Sequence, residues 1–573
     1  MYYDVAVIGG GAVGLAYAIR VKRNHPELRV LVLEKAKEPR FKIGESTLSV
    51  TIENLLELGF TMPQLRRLFV VKSGLGFWYT DSATDEFVSP VDVCNIEETF
   101  QVERRPMEIA LTILAPSCGV EIRSGTVVST SRSRLGEPDP MVVMRGSPEA
   151  ADPVHCRVVC DASGPASVLA RSLGTHRKQE HINTNAYWSH FRKTASTGIA
   201  GWDAPMTHHI CFPQGWFWFI SLCSWESTPT PDLTAMIGAL LKDRREEQDM
   251  PNREEWASQF GCTHSLRVSI GVSPRSDLDY SPPGGARERF WHYIDAYPAI
   301  QKIMHYYEEV PDPYQGKPAY GYLKEIEHYS TSYVGEGSLS VGDAAFFVNP
   351  LFSSGLAFGM FCAKEAARAT AGHLKDPARG DFARYDRLLH SVYRALSTEN
   401  EALYRSWASP TGFEQVLMAK LAGAVSEVAY RAEGSVHDDV PYRLLAPRHA
   451  KVFTDVVALT RDAGSHQEDR SPEIEAVTGR YLENLRTAPE TIEARVGRFF
   501  THYDDNLVRH ENAAKVAQPG LFTSVACPDC RQYVNATLER CPACGQDMKP
   551  QGVRRSPDIT FSPLLMRTGG SRL

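Results

Sequence analysis

Three glycines and one acid near the start of the chain have the residue types and spacing of a dinucleotide-binding turn. Gly9, Gly11 and Gly14 form a GxGxxG pattern, and Glu34 follows 20 residues after the last glycine. Glycines in this pattern allow a tight turn and let the backbone approach a pyrophosphate, which the start of the next helix also attracts. An acid at this distance is positioned to bind ribose hydroxyls. The pattern therefore predicts a bound dinucleotide, either FAD or NAD(P).

The elements that must hold this turn are recognisable on both sides of it. Residues 4–8 (DVAVI) form the short apolar run of a buried parallel strand, residues 15–24 have helical composition, and residues 28–33 (LRVLVL) resemble a second strand. A strand, a glycine turn, a helix, a second strand and an acid in this order predict a Rossmann-type α/β domain.

Later segments favour FAD over NAD(P). In FKIGEST, Gly44 permits close packing against a flat ring and Ser46 offers a hydroxyl. Residues 339–368 are typical of a strand, a Gly-Asp turn, a proline-containing loop and a small-residue helix, whose first amides would face a flavin edge or an anion. The cofactor-binding residues expected from these later segments are Gly44, Ser46, Arg104, Asp343, Pro350, Gly355 and Leu356.

The run GWFWFIS, residues 215–221, concentrates large aromatic side chains in one short strand. Because side chains alternate along a strand, Trp216, Trp218 and Ile220 should share one face, with Phe217 and Phe219 on the other. Such a strand is either part of an ordinary sheet core or a wall against a ligand.

Four cysteines close to the C-terminus have metal-ligand spacing. Cys527, Cys530, Cys541 and Cys544 form two CxxC pairs separated by ten residues. Each pair aims two thiolates at one point, and two pairs complete a tetrahedral four-sulfur site with no open position. We therefore expect a structural zinc ribbon, which either clamps the C-terminus or presents a docking face.

The totals describe an ordinary globular protein. The 573 residues carry a formal net charge of −7, which argues against bulk nucleic-acid binding, and no apolar run has membrane-spanning length. The N-terminus resembles a first strand and not a signal peptide. Eight further cysteines are scattered between Cys94 and Cys362, which is typical of reduced thiols in a cytoplasmic protein.

These segments resemble the flavin-dependent halogenases, within the flavoproteins related to p-hydroxybenzoate hydroxylase. The resemblance covers about residues 1–375. The family's WxWxIP segment corresponds to WFWFIS, in which Ser221 replaces the proline; its KxG segment corresponds to Lys72 and Gly74; and its DPxxSSG loop corresponds to NPLFSSG, in which Asn349 replaces the acid.

The resemblance implies a glutathione-reductase-type FAD-binding Rossmann domain interleaved with a β-sheet substrate domain. It also implies that reduced FAD and oxygen convert chloride or bromide, held at Ser354 and Gly355, into hypohalous acid. Lys72 would then guide the halogen, while Trp216, Trp218 and Ile220 would keep the substrate away from the flavin. The implied substrate is an electron-rich phenolic or pyrrolic aromatic of secondary metabolism, as in antibiotic biosynthesis, either free or tethered to an acyl or peptidyl carrier protein.

The sequence contains one GxGxxG unit of this kind, so we expect a separate NAD(P)H-dependent flavin reductase to supply the reduced cofactor. Two alternatives stay open. The first alternative is a flavin monooxygenase that hydroxylates an aromatic directly, because Ser221 and Asn349 depart from the halogenase motifs. A protein in which the flavin is structural and the ribbon mediates binding is a third possibility. The histidines His190, His208 and His209 are either structural or bases for a phenol.

The predicted domains are an FAD-binding domain at 1–165 and 331–375, and a sheet-based substrate domain at 166–330. A helical region at 376–520, a zinc ribbon at 521–549 and a flexible tail at 550–573 complete the chain.

Overall fold

The computed structural model describes residues 1–145, 152–199, 202–203, 205–314, 316–432, 447–461, 470–487 and 524–548. The predicted tail at 550–573 lies outside these residues, as do the last residues, 488–520, of the predicted helical region. Among the described residues, no helix combines the length and apolar character needed to cross a bilayer.

The strands, in chain order, are β1 (Tyr2–Ile8), β2 (Val30–Leu33), β3 (Val70–Tyr79), β4 (Val88–Gln101), β5 (Glu121–Arg123), β6 (Val127–Val128), β7 (Met141–Val142), β8 (Met144–Arg145), β9 (Val154–Asp161), β10 (His176–Lys178), β11 (Ala186–Lys193), β12 (Met206–Phe212), β13 (Gly215–Ser224), β14 (Ser265–Pro274), β15 (Tyr307–Glu309), β16 (Gly321–Leu323), β17 (His328–Ser330), β18 (Val334–Gly335), β19 (Ser338–Ser340), β20 (Ser524–Ala526) and β21 (Tyr533–Asn535).

The helices are α1 (Ala12–Asn24), α2 (Ser49–Glu57), α3 (Met62–Leu68), α4 (Arg104–Ser117), α5 (Val168–Ser172), α6 (Thr230–Leu240), α7 (Arg253–Gln259), α8 (Ala286–Ala296), α9 (Pro298–Met304), α10 (Ser354–Lys375), α11 (Asp381–Ser406), α12 (Pro410–Ala432), α13 (Pro447–Arg461) and α14 (Ser471–Thr487).

The first sheet has the order β18-β19-β9-β1-β2-β5, with β7 paired to β9. Strand β1 lies between β2 and β9 and is parallel to both. Its last four residues, 5–8 (VAVI), are all apolar. Because a central parallel strand is covered on both faces, it needs this continuous apolar run. The predicted α/β class is confirmed in this coarse form.

The second sheet has the order β15-β11-β14-β13-β12-β3-β4, with β16 paired to β11. Only the β12–β3 pairing along this path is parallel. Strand β3 pairs with β12, and β4 pairs with β3, so residues 70–101 belong to this second sheet. This long-range pairing has no signature in the local sequence, and the predicted domain boundaries stay a prediction.

Strand β13 lies in the middle of the second sheet and separates two packed layers. Trp216, Trp218 and Ile220 are buried on one face, and Phe217 and Phe219 are buried on the other, as the alternation predicts. We call the first side the tryptophan face. Two glycines on neighbouring strands, at 271 and 321, make room there for the indoles of Trp218 and of a third tryptophan, Trp188.

The C-terminal helices cover the tryptophan face. Leu403 and Tyr404 of α11, Trp407 immediately after α11, and Phe413 of α12 are fully buried in the same apolar cluster as Trp216. The indole nitrogen of Trp216 donates a hydrogen bond to the Tyr404 hydroxyl at 2.8 Å. The two described helices therefore pack over the wall predicted from the sequence.

The close contact at residue 271 predicts a packing defect. A Cβ atom at Gly271 would lie 2.1 Å from the Trp218 ring, so Gly271→Ala should displace the indole and destabilise the fold by about 1–3 kcal/mol. Gly238→Ala in α6 is the matched control, because its Cβ meets nothing closer than 3.9 Å. Urea unfolding followed by tryptophan fluorescence measures both variants, and equal stability of Gly271→Ala and the wild type would refute this packing.

Candidate active site

The glycine turn between β1 and α1 is built for close backbone contact. Gly9 has a φ of +108°, and a Cβ there would lie 2.3 Å from the carbonyl oxygen of Ala162. A Cβ on Gly14 would lie 2.1 Å from the Gly9 carbonyl oxygen. Only glycine fits at these two positions. A Cβ at Gly11, by contrast, would approach only flexible side-chain ends, the nearest being Lys42 Nζ at 3.4 Å, so this part of the turn is open.

The predicted acid lies beside this turn. Glu34 directly follows β2, and its carboxylate accepts hydrogen bonds from the amides of Gly10 at 2.7 Å and Ala36 at 2.8 Å. These bonds hold the carboxylate next to the glycines. A role in binding ribose stays a prediction.

Several charged side chains lie beside the predicted flavin-binding segments. Arg104 begins α4, and its Nη1 atom lies 3.3 Å from the Cβ position of Gly44. The buried Glu108 carboxylate accepts hydrogen bonds from Lys42 at 2.7 Å and Arg104 at 3.4 Å. Burial raises the pKa of Asp343, although Arg104 and Lys42 oppose this effect. Lys42 and Glu108 were not predicted, although Lys42 lies inside the FKIGEST segment and Glu108 lies one turn after Arg104 in α4.

The loop before α10 turns sharply into the helix. Ser353 adopts the left-handed conformation with a φ of 56°, Pro350 begins a short 3-10 turn, and α10 starts at Ser354. No described heavy atom lies within 4 Å of the Cβ position of Gly355, apart from its chain neighbours and the backbone of its own helix. Open backbone at this helix start, at Gly11 and near Gly44 fits a flat dinucleotide such as FAD.

Lys72 is a buried lysine. It lies in β3 with no exposed surface, and its ammonium donates hydrogen bonds to the Ser46 hydroxyl at 2.9 Å and the Thr47 carbonyl oxygen at 2.7 Å. Burial lowers its pKa from 10.5 to about 7. A surface lysine keeps an ordinary pKa, so this side chain is not the solvated residue that lysines usually are.

Residues 44–47, which we call the strap, connect this lysine with the loop before α10. The Ser46 hydroxyl accepts a hydrogen bond from Ser353 at 2.7 Å and shares another with Thr207 at 2.7 Å. One serine thus contacts Lys72, the second sheet and the predicted halide-binding loop. Ser46 was predicted only as a flavin contact.

The three candidate histidines differ in their surroundings. Both ring nitrogens of His208 have partners, the Trp202 carbonyl oxygen at 2.8 Å and the Trp78 indole at 3.3 Å. His209 stacks on an aromatic ring at 4.6 Å, and burial lowers its pKa to about 3. His190 is fully buried on β11, and its Nε2 lies 3.8 Å from a Glu45 oxygen.

Asn349, which replaces the acid of the family's loop, faces the carboxylate of Glu327. The Asn349 amide donates hydrogen bonds to Glu327 at 3.2 Å and to Thr184 at 3.1 Å. Glu327 is buried, and burial raises its pKa to about 7. A carboxyl group is therefore present against this loop, supplied by a residue that sequence reasoning did not identify. Ser221, the other departure, is half-buried on β13.

The four C-terminal cysteines converge around the hairpin of β20 and β21. Their sulfurs all lie within 4.8 Å of one another, with 3.7 Å between Cys527 and Cys544 and also between Cys530 and Cys541. Tetrahedral zinc–sulfur bonds of about 2.3 Å place sulfurs roughly 3.8 Å apart, so this donor set fits one zinc ion.

The ribbon packs against the start of α7, beside the second sheet. The carbonyl oxygens of Pro542 and Ala543 accept hydrogen bonds from the amides of Arg253 at 2.8 Å and Glu254 at 3.1 Å. The guanidinium of Arg253 in turn donates to the Phe69 carbonyl oxygen at 2.7 Å, immediately before β3. The ribbon is thus tied to the strand that carries the buried lysine.

Comparison with known proteins agrees with this geometry. The sequence model of the tryptophan halogenase family matches residues 4–90. The flavin-dependent halogenase malA of Malbranchea aurantiaca is 30% identical over 388 residues, which cover 64% of this chain and 58% of malA. A chlorinase of Pseudomonas fluorescens, named for 1H-pyrrole-2-carbonyl bound to a peptidyl-carrier protein, is 24% identical over 414 residues, covering 68% of this chain and 80% of the chlorinase.

Solved structures show the same fold. Halogenase PltM, in complex with phloroglucinol and FAD, has a TM-score of 0.65 at 18% identity, covering 86% of this chain and 98% of PltM. The chain therefore has the α/β fold of PltM. The sequence matches confirm the predicted resemblance: the chain is similar to the flavin-dependent halogenases. Its match spans less than two thirds of malA.

Burial of Lys72 predicts a distinctive pH dependence of stability. Between pH 7 and 10.5 the unfolded chain binds the lysine proton more tightly than the folded chain, so this residue makes wild-type stability rise with pH. Methionine does not titrate. The stability of Lys72→Met relative to the wild type should therefore fall from pH 7 to 10.5, by up to about 1.4 kcal/mol per pH unit. Urea unfolding across this range measures the difference, and a constant difference would show an ordinary lysine pKa.

Proposed function

We propose that this chain is a halogenase that uses reduced FAD, oxygen and halide to halogenate an electron-rich aromatic. The buried Lys72, fixed by the strap at the end of the tryptophan face, is the observation that carries this proposal. Its proposed role agrees with the halogenase relatives. When bound, reduced FAD would supply the chemistry that combines oxygen and halide into hypohalous acid.

The residues of the glycine turn and its surroundings would bind FAD. Gly9, Gly11 and Gly14 admit the pyrophosphate, and Glu34 lies beside them for the ribose hydroxyls. The other proposed contacts are Gly44, Ser46, Arg104, Asp343, Pro350, Gly355 and Leu356. The positive side chains of Arg104 and Lys42, both near the strap, favour an anionic cofactor.

The start of α10 would hold the halide. Amides at a helix N-terminus are unpaired within the helix and carry partial positive charge, which suits chloride or bromide at Ser354 and Gly355. The left-handed Ser353 and its hydrogen bond to Ser46 fix this end of the helix relative to the strap.

Lys72 would guide the oxidised halogen to the substrate. A lysine whose pKa is about 7 is available both as ammonium and as amine near neutral pH. The ammonium can hydrogen-bond hypohalous acid, and the amine can carry the halogen. The rigid wall of Trp216, Trp218 and Ile220 would keep substrate and flavin apart and limit water in between.

The substrate is proposed to be a phenolic or pyrrolic compound, free or carrier-tethered. Relatives named for a carrier-bound pyrrole and for tetracycline support this range. Reduced FAD would come from a separate NAD(P)H-dependent reductase, since the sequence offers one GxGxxG unit. The scattered buried thiols suit a reducing compartment, so we propose a cytoplasmic location.

The cysteine ribbon is proposed to hold one structural zinc ion. Four thiolates leave no position for a substrate or water, so the metal would stabilise the fold and not take part in the reaction. Because Arg253 joins the ribbon to the residues before β3, we propose that the ribbon clamps this edge of the second sheet.

Replacement of the buried lysine tests the proposed activity. Lys72→Met should lower halogenated product by roughly 100-fold or more, because the halogen loses its guide, while NAD(P)H-driven oxygen consumption with an added flavin reductase continues. Lys302→Met, at an exposed lysine, should behave like the wild type. Product is measured by mass spectrometry. Normal halogenation by Lys72→Met would contradict the assigned role, and a product that gains oxygen without halogen would favour the hydroxylase.

Metal analysis tests the ribbon. Purified protein should contain about one zinc ion per chain, and Cys541→Ser should lose it together with part of the free energy of unfolding. Cys118→Ser is the control, since Cys118 lies in the first sheet's helical layer, outside the sulfur cluster. Inductively coupled plasma mass spectrometry and urea unfolding give the two readouts. Metal-free protein with the same stability as the metal-containing protein would exclude a structural zinc.

A further inference from the structure

A group of buried polar side chains on the tryptophan face has no place in the function proposed above. The His190 cluster, as we call it, consists of the polar residues Glu45, His190 and Tyr314 together with the adjacent ring of Phe41. The side chains of Glu45, His190 and Tyr314 are 1%, 0% and 4% exposed, respectively. Buried polar groups of native proteins normally have hydrogen-bond partners, so each exception requires an explanation.

The cluster contains several such exceptions. Among the described residues, neither ring nitrogen of His190 makes a hydrogen bond, nor do the Tyr314 hydroxyl, one Glu45 oxygen and the neighbouring Trp188 indole nitrogen. His190 Nε2 lies 3.8 Å from the Glu45 oxygen, which is beyond hydrogen-bond distance. These donors and acceptors collect in one place, which indicates a ligand with a polar group of its own.

The cluster lies on the same face as the predicted wall. In the sheet register, His190 pairs with Ser269, which pairs with Ile220, and Trp188 pairs with Gly271, which pairs with Trp218. His190 is therefore in line with Ile220, two strands away.

The strap brings this cluster and Lys72 to the same end of the face. Ser46 accepts the hydrogen bond from Lys72, and Glu45 is the residue immediately before it. Consecutive Cα atoms are about 3.8 Å apart, so one short segment presents the lysine on one side and the carboxylate facing His190 on the other. The other Glu45 oxygen accepts from the Gly44 amide at 2.9 Å, which fixes the carboxylate.

The cluster also offers flat surfaces. The Phe41 ring stacks on Tyr314 with 4.3 Å between centroids, and it meets His190 edge-on at 5.3 Å. Aromatic rings that stack and meet edge-on in this way are suited to hold another aromatic ring. His208 and His209 lack this combination, since each has a ring nitrogen bonded to a backbone carbonyl oxygen.

We propose that His190, oriented by Glu45 and assisted by the Tyr314 hydroxyl, binds the phenolic hydroxyl of the substrate and accepts its proton. The site would therefore select aromatics with an ionisable hydroxyl next to the carbon that is halogenated. This inference rests on the proposed halogenase function and narrows its substrate class.

The charges around His190 agree with this role. Burial lowers the pKa of His190, and Arg267 lowers it further, while Glu45 opposes both effects. The imidazole is therefore neutral at pH 7 and has an acceptor nitrogen for the phenol proton. The titratable and charged groups that face it are Glu45, Tyr314 and Arg267.

The step balances in protons and electrons. The phenol proton moves to His190, and the phenolate ring carbon attacks the halogen of hypohalous acid, forming the carbon–halogen bond. The halogen–oxygen bond breaks, and its electron pair leaves with hydroxide, which takes a proton from the Lys72 ammonium to give water. The ring carbon then loses its proton to the Lys72 amine, and His190 returns the phenol proton. The net change is phenol plus hypohalous acid to halophenol plus water.

A matched pair of probes tests this proposal in binding. Resorcinol carries the hydroxyls that His190 would bind, and 1,3-dimethoxybenzene has them methylated. Wild-type, FAD-loaded protein should bind resorcinol at least 10-fold more tightly than the ether, measured by quenching of tryptophan fluorescence. His190→Phe should remove this preference, while His190→Gln, which still hydrogen-bonds, should keep part of it. Equal binding of the two probes by the wild type would overturn the proposal, independently of any halogenation.

Steady-state kinetics distinguish a general-base role of His190 from a purely structural one. With added reductase and bromide, His190→Gln should lower kcat for resorcinol by roughly 100-fold with a smaller change in KM, as expected for loss of a general base. It should also remove the fall in wild-type rate toward acidic pH. His305→Gln, at an exposed histidine, is the control. Equal losses of kcat for resorcinol and the ether, or an unchanged pH profile, would contradict the proposal.

If the wild type forms no hypohalous acid without substrate, the proposed halogenase function fails. The binding preference for resorcinol still decides separately whether His190 binds a phenolic hydroxyl.

Discussion

The hydrogen bond between the Lys72 ammonium and the Ser46 hydroxyl connects the two halves of the candidate site. A lysine inside a protein is destabilising unless polar atoms receive its protons, and here Ser46 and the Thr47 carbonyl oxygen do so. Both acceptors belong to the strap, which lies between the glycine-turn domain and the second sheet. The strap must therefore keep its position for the lysine to stay buried, and the lysine in turn holds the strap.

Two arrangements follow from this constraint. Through Ser353 the strap is bonded to the loop that begins α10, where the halide is proposed to bind. Through Glu45 it faces His190 on the tryptophan face, where the substrate is proposed to bind. The C-terminal helices close this face, since Tyr404 bonds to Trp216. The loop before α10, the buried lysine and the His190 imidazole thus all lie against one four-residue segment.

Features that depend on local sequence were predictable. The glycine turn after β1, the opposite faces of Trp216 and Phe217 and the convergence of the four cysteines all follow from spacing over a few residues. Features that depend on long-range pairing were not. The placement of β3 and β4 in the second sheet, and the approach of His190 to Glu45, join residues far apart in the chain. Lys72 was identified only through the family resemblance, because burial leaves no mark on an isolated lysine.

Oxidation of halide before any substrate reacts is tested by the dependence of flavin reoxidation on halide in the absence of an aromatic substrate. Reduced, FAD-loaded protein is mixed rapidly with oxygenated buffer, with and without bromide, and hypohalous acid is captured by a dimedone-type trap. For a halogenase, bromide should accelerate the return of oxidised flavin, and the trap should become brominated. If the reoxidation rate does not depend on bromide, but increases when a phenol is added and yields a hydroxylated product, the protein is not a halogenase.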